Sequence, residues 1–112
     1  MTVAHFTLHA RDTKPLPAVL EDENGPVDLS AYEQVRFTMW AGFRGEGAPI
    51  IDDALATIVD APIGSVIYEW GAGETDDVGR YSAKFTAIDL TPPTPGRISF
   101  PSDRFILIEV LP

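Results

Sequence analysis

The stretch DDVGRYSA, residues 76–83, decides how this chain folds. An aspartate two places before a glycine, itself two places before a tyrosine, sets a phenol near the start of a strand. From there the hydroxyl can bond to backbone just upstream, which locks a corner of a two-sheet β-sandwich. The residues of that corner are Asp77, Gly79 and Tyr81. A buried phenol needs a hydrogen-bond partner, so Tyr81 is expected to be structural and not catalytic.

Outward from this corner the chain consists of short β-type runs cut by turn residues. Ten prolines and nine glycines are spread over the whole length, and no stretch holds a helical period beyond a turn or two. EQVRFTMW, residues 33–40, is the strongest strand, with Val35, Phe37 and Met39 on one face. Residues 3–9 alternate in the same way, with Phe6 and Leu8 opposite His5, Thr7 and His9. Residues 16–21 form a run that closes on the Asp-Glu-Asn-Gly turn at 22–25, and Asp28 to Tyr32 reads as a helical or turn segment that drops Leu29 into the core. Further runs are expected at 50–51, 55–59, 65–70, 80–88, 97–100 and 105–111. Roughly seven to eight strands with turns about every 8 to 12 residues describe an all-β protein, an immunoglobulin-like antiparallel β-sandwich. Ala83 stands where antibody domains carry their second cysteine.

Length and composition narrow the function. A chain of 112 residues has room for one domain, residues 1–112, and one core. Seventeen acidic against eight basic side chains give a net charge of −9. Such a chain repels phosphate backbones and anionic lipid, so neither nucleic acid nor membrane is an expected partner. With no cysteine there is no disulfide or thiolate metal site. Residues 1–10 lack a basic-then-apolar leader pattern, and the apolar runs are too short to span a bilayer.

No motif carries catalytic chemistry. Asp52 with Asp53, and Glu74 with Asp76 and Asp77, lack the spacing of a calcium loop and read as solvated loop charge. His5 and His9 on one strand stand about 13 Å apart, too far to share a metal. The glycines of residues 42–47 have no strand-to-helix context for a dinucleotide site. The expectation is therefore no enzyme, no cofactor and no metal. Contacts are expected from loops instead: Phe43 is an aromatic at a loop tip. Pro92, Pro93 and Pro95 stiffen residues 91–96, so that docking this loop costs little entropy.

Three stretches together carry a resemblance. DENGPVDLSAYEQVRFTMW (22–40), ATIVDAPIGSVIYEWGAGETDDVGRYSAKF (56–85) and RISFPSDRFILIEV (97–110) are similar to the N-terminal immunoglobulin-like domain of siphophage baseplate upper proteins and its stand-alone phage relatives. Most of the shared positions are turn and core residues. The resemblance implies a structural component of a bacteriophage virion, made in the host cytoplasm. It would be a baseplate, tail or head accessory, adaptor or decoration protein that contacts other phage structural proteins in several symmetric copies. It transfers no catalytic residue. The competing expectation is a module that binds a host-surface glycan or receptor, with Trp40, Trp70 or Phe43 as a stacking platform.

Overall fold

The computed structural model describes residues 5–22, 25–42, 47–89, 96–100 and 106–112. Its elements are β1 (His5–His9), β2 (Leu16–Val19), β3 (Glu21–Asp22), β4 (Gly25–Pro26), β5 (Gln34–Ala41), β6 (Ile51–Asp60), β7 (Ser65–Tyr68), β8 (Gly79–Asp89), β9 (Gly96–Phe100) and β10 (Ile106–Leu111). A 3-10 turn, Ala61–Ile63, joins β6 to β7.

One path of hydrogen-bonded strands runs β1-β10-β8-β5-β6-β7-β2, with β9 beside β8; β3 and β4 form a separate small hairpin. The path folds over at β6. Neighbouring strands of a flat sheet are about 4.8 Å apart, so β5 and β7, two strands apart, would be about twice that. Yet the rings of Phe37 on β5 and Tyr68 on β7 stack with centroids 4.2 Å apart. Two layers therefore face each other, β1-β10-β8-β5 with β9 on one side and β2-β7 on the other. β6 belongs to both, which makes the fold a sandwich that is barrel-like along this seam. Ala54, Leu55 and Ala56 pair with β5, whereas Thr57, Ile58 and Asp60 pair with β7.

The alternation of apolar residues fills the space between the layers. Val35, Phe37 and Met39 are buried, opposite Ala83, Phe85 and Ala87 of β8 and beside Ile106, Ile108 and Val110 of β10. Leu16, Val66 and Tyr68 close the core from the second layer, and Leu29 plugs it below the turn at Ser30. Each of the larger side chains among them, Val, Leu, Ile, Phe or Met, contributes about 1.5–3 kcal/mol of burial. With no cystine available, this packing holds the layers together.

The structure departs from the sequence reading in five places. β1 and β10 pair in parallel, from His5 opposite Leu107 to His9 opposite Leu111, so the sheet is mixed and not purely antiparallel. The runs at 50–51 and 55–59 merge into β6, with a bulge in its pairing to β5 in place of a break. Residues 16–21 split into β2, paired with β7, and β3, paired with β4; Leu20 links them, donating its N–H to the Gly64 carbonyl at 2.8 Å on the β7 side and accepting from the Val27 N–H at 2.8 Å on the β4 side. β7 ends at Tyr68 and leaves Trp70 outside the strand. Gly96, read as the end of the proline-rich loop, opens β9.

Candidate functional site

The tyrosine corner has a defined geometry. Tyr81, 9% exposed, stands on β8 two residues after Gly79. Its Oη donates to the Asp77 carbonyl at 2.7 Å. A Cβ added to Gly79 would lie 3.5 Å from Tyr81 Oη, so the phenol rests against the glycine. Burial, and secondarily the Asp77 carboxylate, push the Tyr81 phenol up from its ordinary value. Neutral and already donating to backbone, it is not poised for proton transfer at pH 7.

Glu74, read above as solvated charge, is a second anchor. Its Oε1 accepts from Tyr68 Oη at 2.7 Å and from the Gly71 N–H at 2.6 Å. Next to it Thr75 Oγ1 donates to the Asp12 carbonyl at 2.9 Å, and the Arg11 N–H donates to the Thr75 carbonyl at 2.9 Å. Burial pushes the Tyr68 phenol well above its ordinary value, and the Glu74 carboxylate adds to the effect. The acidic loop 71–78 is thus tied at both ends by tyrosines and in the middle to residues 11–12.

The other candidates are scattered. Trp70 is half-buried, its ring edge-on to Phe37 and Tyr68 at 5.9 and 5.3 Å and its Nε1 donating to the Lys14 carbonyl at 3.0 Å. Trp40 is half-buried on β5, opposite Ser82. His5 and His9 are exposed on the outward side of β1. Phe43, Pro92, Pro93 and Pro95 lie outside the described residues. Among the described residues no three His, Asp or Glu side chains gather as metal ligands do, and no helix is long and apolar enough to cross a membrane.

The outward faces of the two layers differ in chemistry. On the first layer the outward positions carry charge. Arg36, Arg80, Lys84 and Arg97 are four of the chain's eight basic residues, and they come from β5, β8 and β9. Arg97 Nη2 meets Asp53 Oδ1 at 2.8 Å, and Arg80 Nε lies 3.6 Å from Glu109 Oε2. Arg36 donates from Nη1 to the Asp53 carbonyl and from Nη2 to Gln34 Oε1, at 3.2 and 3.0 Å. Asp53 sits in the bulge with φ at +56°, and its N–H donates to Thr38 Oγ1 at 3.1 Å.

On the second layer the outward positions are almost free of charge. Across β2 and β7, Pro17 faces Ile67 and Val19 faces Ser65; across β7 and β6, Ile67 faces Thr57. Val59 extends the row along β6, with Asp60 opposite Ser65 as its charged member, whereas Leu55 stands opposite Arg36 of β5, at the seam with the first layer. Val19, Leu55 and Val59 are 47%, 62% and 60% exposed. A water-facing side of an antiparallel sheet normally alternates to polar residues. This one does so only in part, with Ser65, Thr57 and Asp60 polar and Pro17, Val19, Ile67 and Val59 apolar, and nothing in the sequence reading singled it out. The signal was there in LATIV, residues 55–59, where Leu55, Thr57 and Val59 are one phase of the strand and Ala56 and Ile58 the other. Where β6 parts from β5 a shallow groove of about 390 Å³ opens, lined by Glu33, Gln34 and Val35 on one side and by residues 55–58 on the other.

This surface exposes apolar side chains that can be buried against another protein. Compared with known proteins, the chain matches no family model and has no significant match among curated proteins.

Proposed function

We propose that this chain is a non-enzymatic interaction module of a bacteriophage particle, with an immunoglobulin-like sandwich that presents a docking face to other structural proteins. The single observation that carries the interaction reading is the outward face of β6, β7 and β2, which is poor in charge and exposes Val19 and Val59 in a chain whose charged share is 22%. Contiguous exposed apolar surface on an otherwise charged protein marks a contact site.

Strand order supports the immunoglobulin-like assignment. β2-β7-β6 follows the order of the second, fifth and fourth strands in such domains, and β5-β8-β10 that of the third, sixth and seventh. The hydrogen bond from Tyr81 to Asp77 falls at the start of the sixth strand in this scheme. The phage assignment rests on the sequence resemblance of residues 22–40, 56–85 and 97–110. The glycan-binding alternative has less support, since the Trp70 ring is engaged with Phe37, Tyr68 and Lys14 and does not stand clear as a stacking platform.

Mass spectrometry of purified particles, with cryo-electron microscopy to locate the chain, tests the proposal. The expected result is a fixed copy number in a symmetric site. Particles that lack the chain would reject the virion assignment, and a glycan array with specific binding would favour the alternative.

A further inference from the structure

We infer that Pro15 and Pro17 close the free edge of β2, so that the second layer is shut to extension by a strand from another chain. The inference goes beyond the choice of partner and stands whether or not the chain belongs to a phage particle.

Backbone phase carries the argument. β2 ends the path of hydrogen-bonded strands, and no strand among the described residues pairs with its outer edge. Its register with β7 runs without a shift from Leu16 opposite Tyr68 to Val19 opposite Ser65. The register continues to Leu20, whose N–H donates to the Gly64 carbonyl at 2.8 Å. In an antiparallel pair, residues that exchange hydrogen bonds alternate with residues whose N–H and C=O point the other way. Leu20 fixes the phase: Leu16 and Ala18 turn their backbone groups to β7, and Pro17 and Val19 turn theirs to the open edge. Pro15, one place before β2, continues the outward phase, since the Lys14 carbonyl lies on the β7 side, where it accepts from Trp70 Nε1 at 3.0 Å. Of the three residues that would present an N–H along this edge, Pro15, Pro17 and Val19, two are prolines and have none.

An edge of this kind otherwise invites pairing. Proteins blunt exposed edges with charged side chains, bulges, a covering element or proline. Within β2 there is no charged residue, and its pairing with β7 has no bulge. The edge also borders the exposed Val19 and Val59, and apolar strands with unpaired backbone are where chains add to one another. Each proline removes the donor that an incoming carbonyl needs and puts ring carbon in its place. Proline is tolerated there because the N–H it lacks would have faced solvent. The other end of the path is stopped by a different device. Ala10 donates to the Leu111 carbonyl at 2.7 Å, which turns the backbone groups of His9 away from β10. Asp12 then takes both of them, its Oδ2 accepting from the His9 N–H and its own N–H donating to the His9 carbonyl, each at 3.0 Å. The segment that crosses between the layers, residues 9–17, thus blunts both strands that it joins.

The test restores the missing donors in the full chain. In Pro17→Val, at a dilution where it sediments as a monomer, the new amide at residue 17 should exchange its hydrogen at close to the rate of an open chain, because it faces water. Strong protection of that amide in the monomer would overturn the inference, since it would put the N–H on the β7 side. The second measurement is sedimentation equilibrium in about 1 M sodium chloride, which screens the net charge of −9. Pro15→Val/Pro17→Val should self-associate at least about tenfold more tightly than the parent, the worth of two regained hydrogen bonds. Association no tighter than the parent's would overturn the inference. Adding Val19→Pro puts a proline back at the third outward position and should return association to the parent's level. A triple variant that still associates like the double would place the contact on another surface, which also overturns the inference. Should the double variant unfold, as circular dichroism would reveal, the exchange rate in Pro17→Val decides alone.

Discussion

Taking away the Tyr81 hydroxyl leaves the Asp77 carbonyl without its 2.7 Å donor. Tyr81→Phe is therefore predicted to lower stability by about 1 kcal/mol, the net worth of one such bond, and urea denaturation with an unchanged midpoint would reject the clamp. The two buried phenols also set an alkaline limit. Both Tyr68 and Tyr81 are held above the ordinary value of 10.0, so the folded state keeps protons that the unfolded state releases. Their contribution is fully present below pH 10 and is lost as pH rises beyond it toward the folded values. We predict that the urea midpoint falls above pH 10 and falls less in Tyr68→Phe, where one of these protons is no longer at stake. At this scale the sequence was uneven. The spacing of Asp77, Gly79 and Tyr81 is a local pattern and can be read directly. The pairing of Glu74 with Tyr68 cannot, because Glu74, Asp76 and Asp77 look alike until the loop brings one of them to a phenol six residues back.

Between β6 and β7 the chain turns through Ala61–Ile63 and passes Gly64 at φ +72°. A Cβ there would come within 2.7 Å of the Leu20 and Val27 carbonyls, which are backbone and cannot step aside. Gly64→Ala is predicted to cost about 2–4 kcal/mol, from the left-handed conformation and the clash together, read as a drop in denaturation midpoint. The bulge in β6 gives a milder case. Asp53→Ala loses the Arg97 pair and keeps the strain of φ +56°, so a loss of about 1–2 kcal/mol is expected. Asp53→Gly should cost less than Asp53→Ala, because glycine relieves the strain; the reverse order in thermal melts would mean that the conformation carries no penalty. Alternation made the strands legible, as Val35, Phe37 and Met39 demonstrate. The continuity of β6 and the change of partner after Leu20, from β7 to β4, were not legible, since both depend on which strand lies alongside.

Across the whole molecule the same logic separates what a one-dimensional reading can supply from what needs the assembled layers. Net charge and the all-β class follow from composition and turn spacing. The division of charge between two outward faces does not, because Arg36, Lys84 and Arg97 come from three strands, as do Val19, Ile67 and Val59. Pairing of β1 with β10 is equally hidden, with about a hundred residues between the partners. That pairing has a mechanical consequence. β1 and β10 run in the same direction, with five residues in register, and they lie next to the two ends of the described chain. Tension applied through residues 5 and 112 pulls the two strands lengthwise past each other. The hydrogen bonds between them are then loaded together in shear and do not open one after another as in a peeled hairpin. We predict a single high rupture force when the chain is stretched from its ends. Pulling instead through β2 and β7, which run antiparallel, between attachment points at residues 19 and 65, should separate those strands pair by pair at a much lower force. Equal rupture forces in the two geometries would exclude the shear lock. A component held by both ends inside a strained assembly would then resist extension through the register of five residue pairs, whatever the strength of its core.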